Sequence, residues 1–215
     1  YKVTGVQTCA LPISTPNGRK VSIMLEELGV DYNTIAINIG QGEQKTPAFL
    51  KISPNNKIPA IFDHDNGLAL MESGAILLYL AEKYGRFLPS DPGQKARVYE
   101  WLMWQMGGLG PMLGQVHHFT HFNPGKAPYA ESRYQDEAAR LYGVLEARLS
   151  NRDFICDDYS IADMAAWPWV SRYEWQEIDL ADFANVRDWY RRILDRDAVQ
   201  RGYHIPKHMG DIPPG

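Results

Sequence analysis

Asn55-Asn-Lys-Ile-Pro-Ala-Ile-Phe62, then a polar turn, Leu68-Ala-Leu70 and Met71-Glu-Ser-Gly-Ala-Ile-Leu-Leu-Tyr79 form the stretch on which the reading of this chain turns. Residues 57–62 predict a short apolar strand, 63–67 a tight turn and 68–71 the returning strand of a hairpin. Pro59 falls inside the first strand. Proline has no N–H for a central ladder, so it belongs at an edge, or at the strand's first residue after a bond that can be cis. Either placement leaves the Ile58 backbone outside the sheet pairing, where an extended peptide can bond to it. Ser73 then opens a helix with Ile76, Leu77 and Leu80 on one face and Glu72 just before its first turn. The orphan N–H groups and positive dipole end there favour an anion. A strand end for a peptide backbone beside a place for a carboxylate suits a peptide ligand.

Towards the N-terminus, Thr15-Pro-Asn-Gly18 is a turn leading into a helix. Val21, Met24, Leu25 and Leu28 form its i, i+3, i+4, i+7 stripe, with Gly29 as C-cap. Residues 31–39 alternate as a strand, with Ile35, Ile37 and Ile39 on one face. Gly40-Gln-Gly-Glu-Gln44 is a polar loop before a short helical piece near 47–52. Strand, helix, strand, hairpin and helix is an α/β order. Residues 1–14 fit badly with the rest of the chain and read as foreign sequence, such as a translated sequencing adapter fused in frame to a truncated gene. Cys9 within them falls near the start of a strand. A reactive thiol should lie at a helix N-terminus, where the dipole lowers its pKa, so Cys9 is not assigned as a nucleophile.

Towards the C-terminus, Gly85 caps the third helix, and residues 86–94, with Pro89, Pro92 and Gly93, read as a linker. From Lys95 onward strand signals vanish. A helix from Lys95 carries Val98, Trp101, Leu102 and Gln105 and loosens at Gly107-Gly-Leu-Gly-Pro111. Another spans 129–150, with Ala138, Leu141, Leu145 and Leu149 as its buried stripe. Ser160-Ile-Ala-Asp163 is a capping box whose role is folding. The last helices cover 167–176 and 186–192, and the Pro/Gly-rich tail 205–215 is expected to be loose. Trp101, Trp104, Trp167 and Trp169 recur at helical spacings and read as core.

The bulk numbers bound the function. With 215 residues and 45% apolar content the chain can bury a core, and 22 basic against 26 acidic residues give a net charge of -4. That balance argues against a nucleic-acid or membrane-surface protein. No apolar run approaches a transmembrane span. Two distant cysteines, Cys9 and Cys156, make neither a disulfide framework nor a zinc site, and a reducing, cytoplasmic setting is the simplest reading.

Pro59, the hairpin and the Glu72-Ser73 pair arrive together in a way that closely resembles the glutathione-binding half of glutathione transferases. Ser53-Pro-Asn-Asn-Lys-Ile-Pro-Ala-Ile61, Trp104-Gln-Met-Gly-Gly-Leu-Gly-Pro-Met-Leu-Gly-Gln115 and Tyr159-Ser-Ile-Ala-Asp163 resemble the bacterial Nu-class branch, whose members act as glutathione-dependent disulfide-bond reductases. The resemblance covers about residues 15–203. It implies an α/β thioredoxin-like N-terminal domain over 1–85, a linker over 86–94, an all-α helical domain over 95–204 and a loose tail over 205–215, in a cytoplasmic homodimer.

The same resemblance assigns roles. Read alone, Thr15 and Asn17 are helix-capping residues. In the Nu-class pattern they donate hydrogen bonds to the glutathione sulfur, in place of the Tyr, Ser or Cys of other classes. A free thiol has a pKa of about 8.5 and needs such donors and a helix dipole to become a thiolate at neutral pH. Gln44, Lys57, Ile58 and Pro59 meet the tripeptide, Glu72 its ammonium and Ser73 its γ-glutamyl carboxylate. Arg133, otherwise a solvated helix arginine, reaches a second glutathione. In His117-His-Phe-Thr-His-Phe122 three imidazoles fall within five positions, but no fourth ligand stands at a recognisable spacing, so no metal is expected. His117, His118, Phe119, His121 and Phe122 are expected to line the second-substrate cleft between the domains. The expected activity is disulfide reduction by glutathione. The alternatives are conjugation of glutathione to electrophiles, peroxide reduction, or a non-catalytic glutathione-binding scaffold.

Overall fold

In the computed structural model, which describes residues 15–215 and the backbone of 7–12, the bond between Ile58 and Pro59 is cis and the strand begins one residue later. The elements are β1 (Gln7–Pro12), α1 (Pro16–Leu28), β2 (Tyr32–Ile37), α2 (Pro47–Leu50), β3 (Ala60–Asp63), β4 (Leu68–Met71) and α3 (Ser73–Tyr84). There follow α4 (Pro92–Trp104), α5 (Gly110–Val116), α6 (Pro128–Leu149), α7 (Ile161–Val170), α8 (Ala184–Leu194) and α9 (Asp197–Tyr203). The sheet runs in the order β2-β1-β3-β4, with β1 parallel to β2 and antiparallel to β3, and β3 antiparallel to β4. The strand expected over 57–62 is therefore shorter, because Pro59 keeps residues 57–59 out of the ladder. The backbone of Cys9 lies third in β1, opposite Thr34 and Ile61. The reading of residues 1–14 as foreign falls outside the described residues for 1–6, 13 and 14 and for the side chains of 7–12.

Two compact units divide the chain: Tyr1–Arg86 with Arg196–Ile212, and Phe87–Asp195 with Pro213–Gly215. The boundary after residue 86 lies close to the sequence expectation. The return of α9 to the first unit does not follow from sequence, which assigned 95–204 to one helical domain. The physical reason is α1, whose residues 18–25 are all buried. Its outer face is covered by α9: Ser22 Oγ donates to the Gly202 carbonyl at 2.6 Å, and Arg19 donates to the Tyr203 carbonyl at 3.2 Å with its guanidinium 3.4 Å from the Tyr203 ring centroid. Arg196 forks onto Glu27 at 2.6 and 2.9 Å, a bidentate pair. The sheet's other core gathers Ile37, Phe49 and Ala60, with Ile52 and Ile58 packed against it. Ile35 and Ile39 do not share that burial, being 52% and 48% exposed. Ile35 lies on an edge strand, and the chain has turned into a 3-10 segment by Ile39.

In the second unit, the Gly107–Pro111 run does not loosen. The backbone passes from α4 through a π-helical turn (Gln105–Leu109) into α5, and through another (His117–Phe122) beyond it. The glycines serve close packing: a Cβ on Gly110 would stand 2.7 Å from the Gln105 amide nitrogen and 3.2 Å from the Trp169 indole nitrogen. Every residue of α7 is buried, so this helix is the unit's centre. Its N-terminus carries the capping box, Ser160 N–H donating to Asp163 at 3.0 Å. The tail is tied down at its end, where the Tyr190 hydroxyl donates to the Pro213 carbonyl at 2.7 Å and Arg191 to that of Gly215 at 3.0 Å.

Candidate functional site

The first unit presents two helix N-termini side by side. Thr15 caps α1 in an extended conformation, its Oγ1 accepting the Gly18 N–H at 3.3 Å, with Pro16 opening the helix. That bond uses a lone pair, so the hydroxyl can still donate its hydrogen to a ligand. Asn17 stands half-buried in the same first turn. Neither α1 nor α3 has an acidic residue in its first turn, so both dipole ends can meet an external anion.

At α3, Glu72 holds φ +70° and ψ 112°, a left-handed conformation that costs a non-glycine residue on the order of 1–3 kcal/mol. Its carboxylate is exposed and accepts from the Asn55 amide at 3.4 Å. Ser73 is buried, and its Oγ accepts from the Lys20 ammonium at 3.3 Å. Lys20 is 1% exposed. Burial pushes its pKa down to about 7, against the upward pull of the Glu72 carboxylate.

The loop before β3 is closed by Ser53, whose hydroxyl donates to the Lys57 carbonyl at 2.6 Å. Lys57 is exposed, Ile58 half-buried and Pro59 buried, and the ladder begins at Ala60, opposite Ala10 and Met71. Gln44, in the 3-10 turn Glu43–Lys45, has its side-chain oxygen buried with no hydrogen-bond partner among the described residues. Thr15, Asn17, Gln44, Lys57, Ile58, Pro59, Glu72 and Ser73 thus all belong to the first unit. Lys20, Ser53 and Asn55 join them without having been read from sequence. Lys20 did leave a signal: it lies four residues before Met24, on the same face as the apolar stripe of α1.

Arg133 and the 117–122 cluster lie in the second unit. Arg133 is exposed on α6, beside a groove of ≈ 530 Å³ that Met112, Tyr129, Tyr134 and Arg140 also line. The π-helical turn splits the cluster. His117 is 6% exposed, stacked on Trp169 at 5.7 Å and edge-on to Trp175. Its Nε2 is 3.0 Å from the amide nitrogen of Gln176, which also donates to the Trp169 carbonyl at 2.9 Å, while the Gln176 oxygen accepts from the Tyr142 hydroxyl at 2.7 Å. Burial, with Arg172 and His121 adding to it, lowers the His117 pKa to about 4. The ring is neutral and sits in the core of its unit, so it is a packing residue there and not an open cleft wall. His121 stacks on the other arm of this cluster, 4.3 Å from Trp175, and Phe122 stands edge-on to the same indole with 60% of its surface exposed. His118 meets Phe119, which stacks on Tyr134 at 5.6 Å. Among the described residues no three His, Cys, Asp or Glu side chains converge as metal ligands. Cys156 is buried, and burial with the nearby Asp163 carboxylate pushes its thiol up to about 11, which leaves no thiolate at neutral pH.

A four-stranded α/β unit with two helix starts free of acidic first-turn residues precedes an all-helical unit, an architecture that the comparisons with known proteins assign to a family. The glutathione S-transferase N-terminal domain matches residues 15–83 and the glutathione S-transferase C-terminal domain residues 109–197. The chain belongs to the glutathione S-transferase family. It is 54% identical over 203 residues to the disulfide-bond oxidoreductase YfcG of Escherichia coli (strain K12), a match covering 92% of this chain and 94% of that one. A glutathione transferase from Pseudomonas putida, crystallised with one glutathione disulfide bound per subunit, is 44% identical with a TM-score of 0.88, covering 96% of this chain and 94% of that one. A glutathione transferase from Burkholderia graminis, with two glutathione molecules bound per subunit, is 43% identical with a TM-score of 0.87, covering 94% and 89%. Among the described residues no helix is long and apolar enough to cross a membrane.

Proposed function

We propose that this protein is a glutathione-dependent disulfide-bond oxidoreductase of the Nu class, acting as a cytoplasmic homodimer. The observation that carries the proposal is Thr15 at the start of α1, five residues before Lys20, whose ammonium meets Ser73 at the start of α3, in a chain 54% identical to a disulfide-bond oxidoreductase. Glutathione lies with its γ-glutamyl carboxylate at Ser73, its ammonium at Glu72, its cysteinyl backbone on Ile58 beside Pro59, and Gln44 and Lys57 against the remaining polar groups. Its sulfur accepts hydrogen bonds from Thr15 and Asn17 at the positive end of α1, which favours the thiolate. The thiolate attacks one sulfur of a small or mixed disulfide, forming a glutathione mixed disulfide and releasing the other half as a thiolate. A second glutathione thiolate, held by Arg133, attacks the mixed disulfide, giving glutathione disulfide and the second substrate thiolate. Two glutathiones supply the two electrons. His118, Phe119, His121 and Phe122 contact the second substrate, and His117 supports them from beneath.

The test is turnover of hydroxyethyl disulfide with glutathione, run beside conjugation of an aryl halide. Fast disulfide turnover with weak conjugation supports the reductase. The reverse makes conjugation the activity, and silence in both with glutathione still bound makes the protein a scaffold. Gel filtration at micromolar concentration checks the dimer.

A further inference from the structure

Lys20 is an ammonium with 1% exposure, placed 3.3 Å from the hydroxyl that opens α3 and near the positive end of that helix. Both burial and the helix dipole disfavour a cation there. Glu72 offsets part of this from an exposed position. We propose that Lys20 is a positioning residue for glutathione: acting through Ser73, it is the buried counter-cation of the γ-glutamyl carboxylate, and binding of that carboxylate draws a proton onto it. The inference rests on the glutathione reading above and adds to it a residue and a proton.

Charge links the two groups. A carboxylate held by the Ser73 hydroxyl is one oxygen atom removed from the ammonium, and the pair is shielded from water on the Lys20 side. An anion at that distance favours the charged form of the lysine. Without it the side chain titrates near neutrality, at about 7. Among the described residues, the neighbouring charges are engaged elsewhere. Arg19, next on α1, is turned to the Tyr203 ring and carbonyl of α9. On the far part of α3, Lys83 pairs with Asp63 and Asp65 at 2.5 and 2.7 Å. His204, after α9, is held below its usual pKa by burial, with His208 and Arg19 adding to it.

By linkage, a ligand that prefers protonated Lys20 binds more weakly as pH rises through the free-state value, with the dissociation constant rising about fivefold between pH 7 and 8. The probe is S-methylglutathione, which has no titrating thiol. Its binding is measured by calorimetry from pH 6 to 8 in two buffers of different ionisation heat, which counts the protons taken up. The wild-type protein is expected to take up between half a proton and one at pH 7.5. Lys20→Met is expected to bind at least tenfold more weakly at pH 6.5, to take up no proton, and to melt no lower than wild type. Lys20→Arg should restore part of the affinity without the pH dependence. Binding with no proton uptake in the wild type overturns the inference and leaves the glutathione reading standing. No binding at all overturns both. The wild-type proton count needs no variant, so it decides even where Lys20→Met does not fold.

Discussion

Gln176 Nε2 lies 3.0 Å from Nε2 of His117, joining two buried side chains 59 residues apart. A neutral imidazole that accepts this amide proton cannot take a second proton without breaking the bond. Unfolded histidine protonates near 6.5 and the folded ring only near 4, so between these values the unfolded chain binds more protons and stability falls as pH falls. Asp163 works the other way: burial raises its carboxyl from 3.8 to about 6, so its contribution to stability grows as pH falls through that window. The difference between wild type and His117→Phe isolates the histidine. His117→Phe is expected to be less stable at pH 7.5, yet to lose roughly 2 kcal/mol less than wild type between pH 7.5 and 5. Urea unfolding at both pH values measures this, and equal losses would mean the folded ring takes up its proton at the ordinary value.

Asp163 accepts the Ile155 N–H at 2.9 Å, the Ser160 N–H at 3.0 Å and the Trp189 indole N–H at 2.9 Å. Asp163→Asn turns an NH2 group towards one of these donors. We expect a loss on the order of 2–3 kcal/mol in urea unfolding, with disulfide turnover per folded molecule unchanged at low temperature.

Capping and sulfur activation by Thr15 can be separated. Thr15→Asp keeps a good N-cap acceptor but sets a carboxylate beside the glutathione sulfur. Stability should stay within about 0.5 kcal/mol of wild type. Disulfide turnover should fall at least a hundredfold, and activity near wild type would remove Thr15 from the proposed chemistry.

Glu72→Gly relieves the positive φ and removes the carboxylate assigned to the glutathione ammonium. The variant should gain roughly 1 kcal/mol of stability and bind glutathione about tenfold more weakly. Thermal melting and calorimetry on one preparation test both halves.

A Cβ on Gly202 would lie 2.7 Å from Cα and 2.8 Å from N of Ile23. Backbone on both sides leaves little room to give. Gly202→Ala should destabilise the first unit by about 1–3 kcal/mol, and hydrogen exchange should show the loss in α1 ahead of α7.

What was legible in the sequence was local. The hairpin, Pro59 ahead of β3, the Ser73 helix start and the Ser160–Asp163 box each depend on residues within a few positions of one another. What was not legible depends on distant partners. The stripe of α1 predicts one buried face, but Arg19, Lys20 and Ser22 are buried too because α9 covers them from the other end of the chain. Gly107-Gly-Leu-Gly-Pro111 reads as a breaker, and only the position of Trp169 reveals that Gly110 is there for close packing. The candidate site divides in the same way: its helix starts at Thr15 and Ser73 were readable, whereas the meeting of Lys20 with Ser73, 53 positions away, was not.

The bond from Ser22 to Gly202 spans 180 residues. During synthesis, then, the α/β part of the first unit emerges first but stays unfinished while the helical unit is being made and α9 is still inside the ribosome. The later half can fold before the earlier one is complete, and a ribosome that stalls late leaves α1 with an uncovered face for chaperones to find.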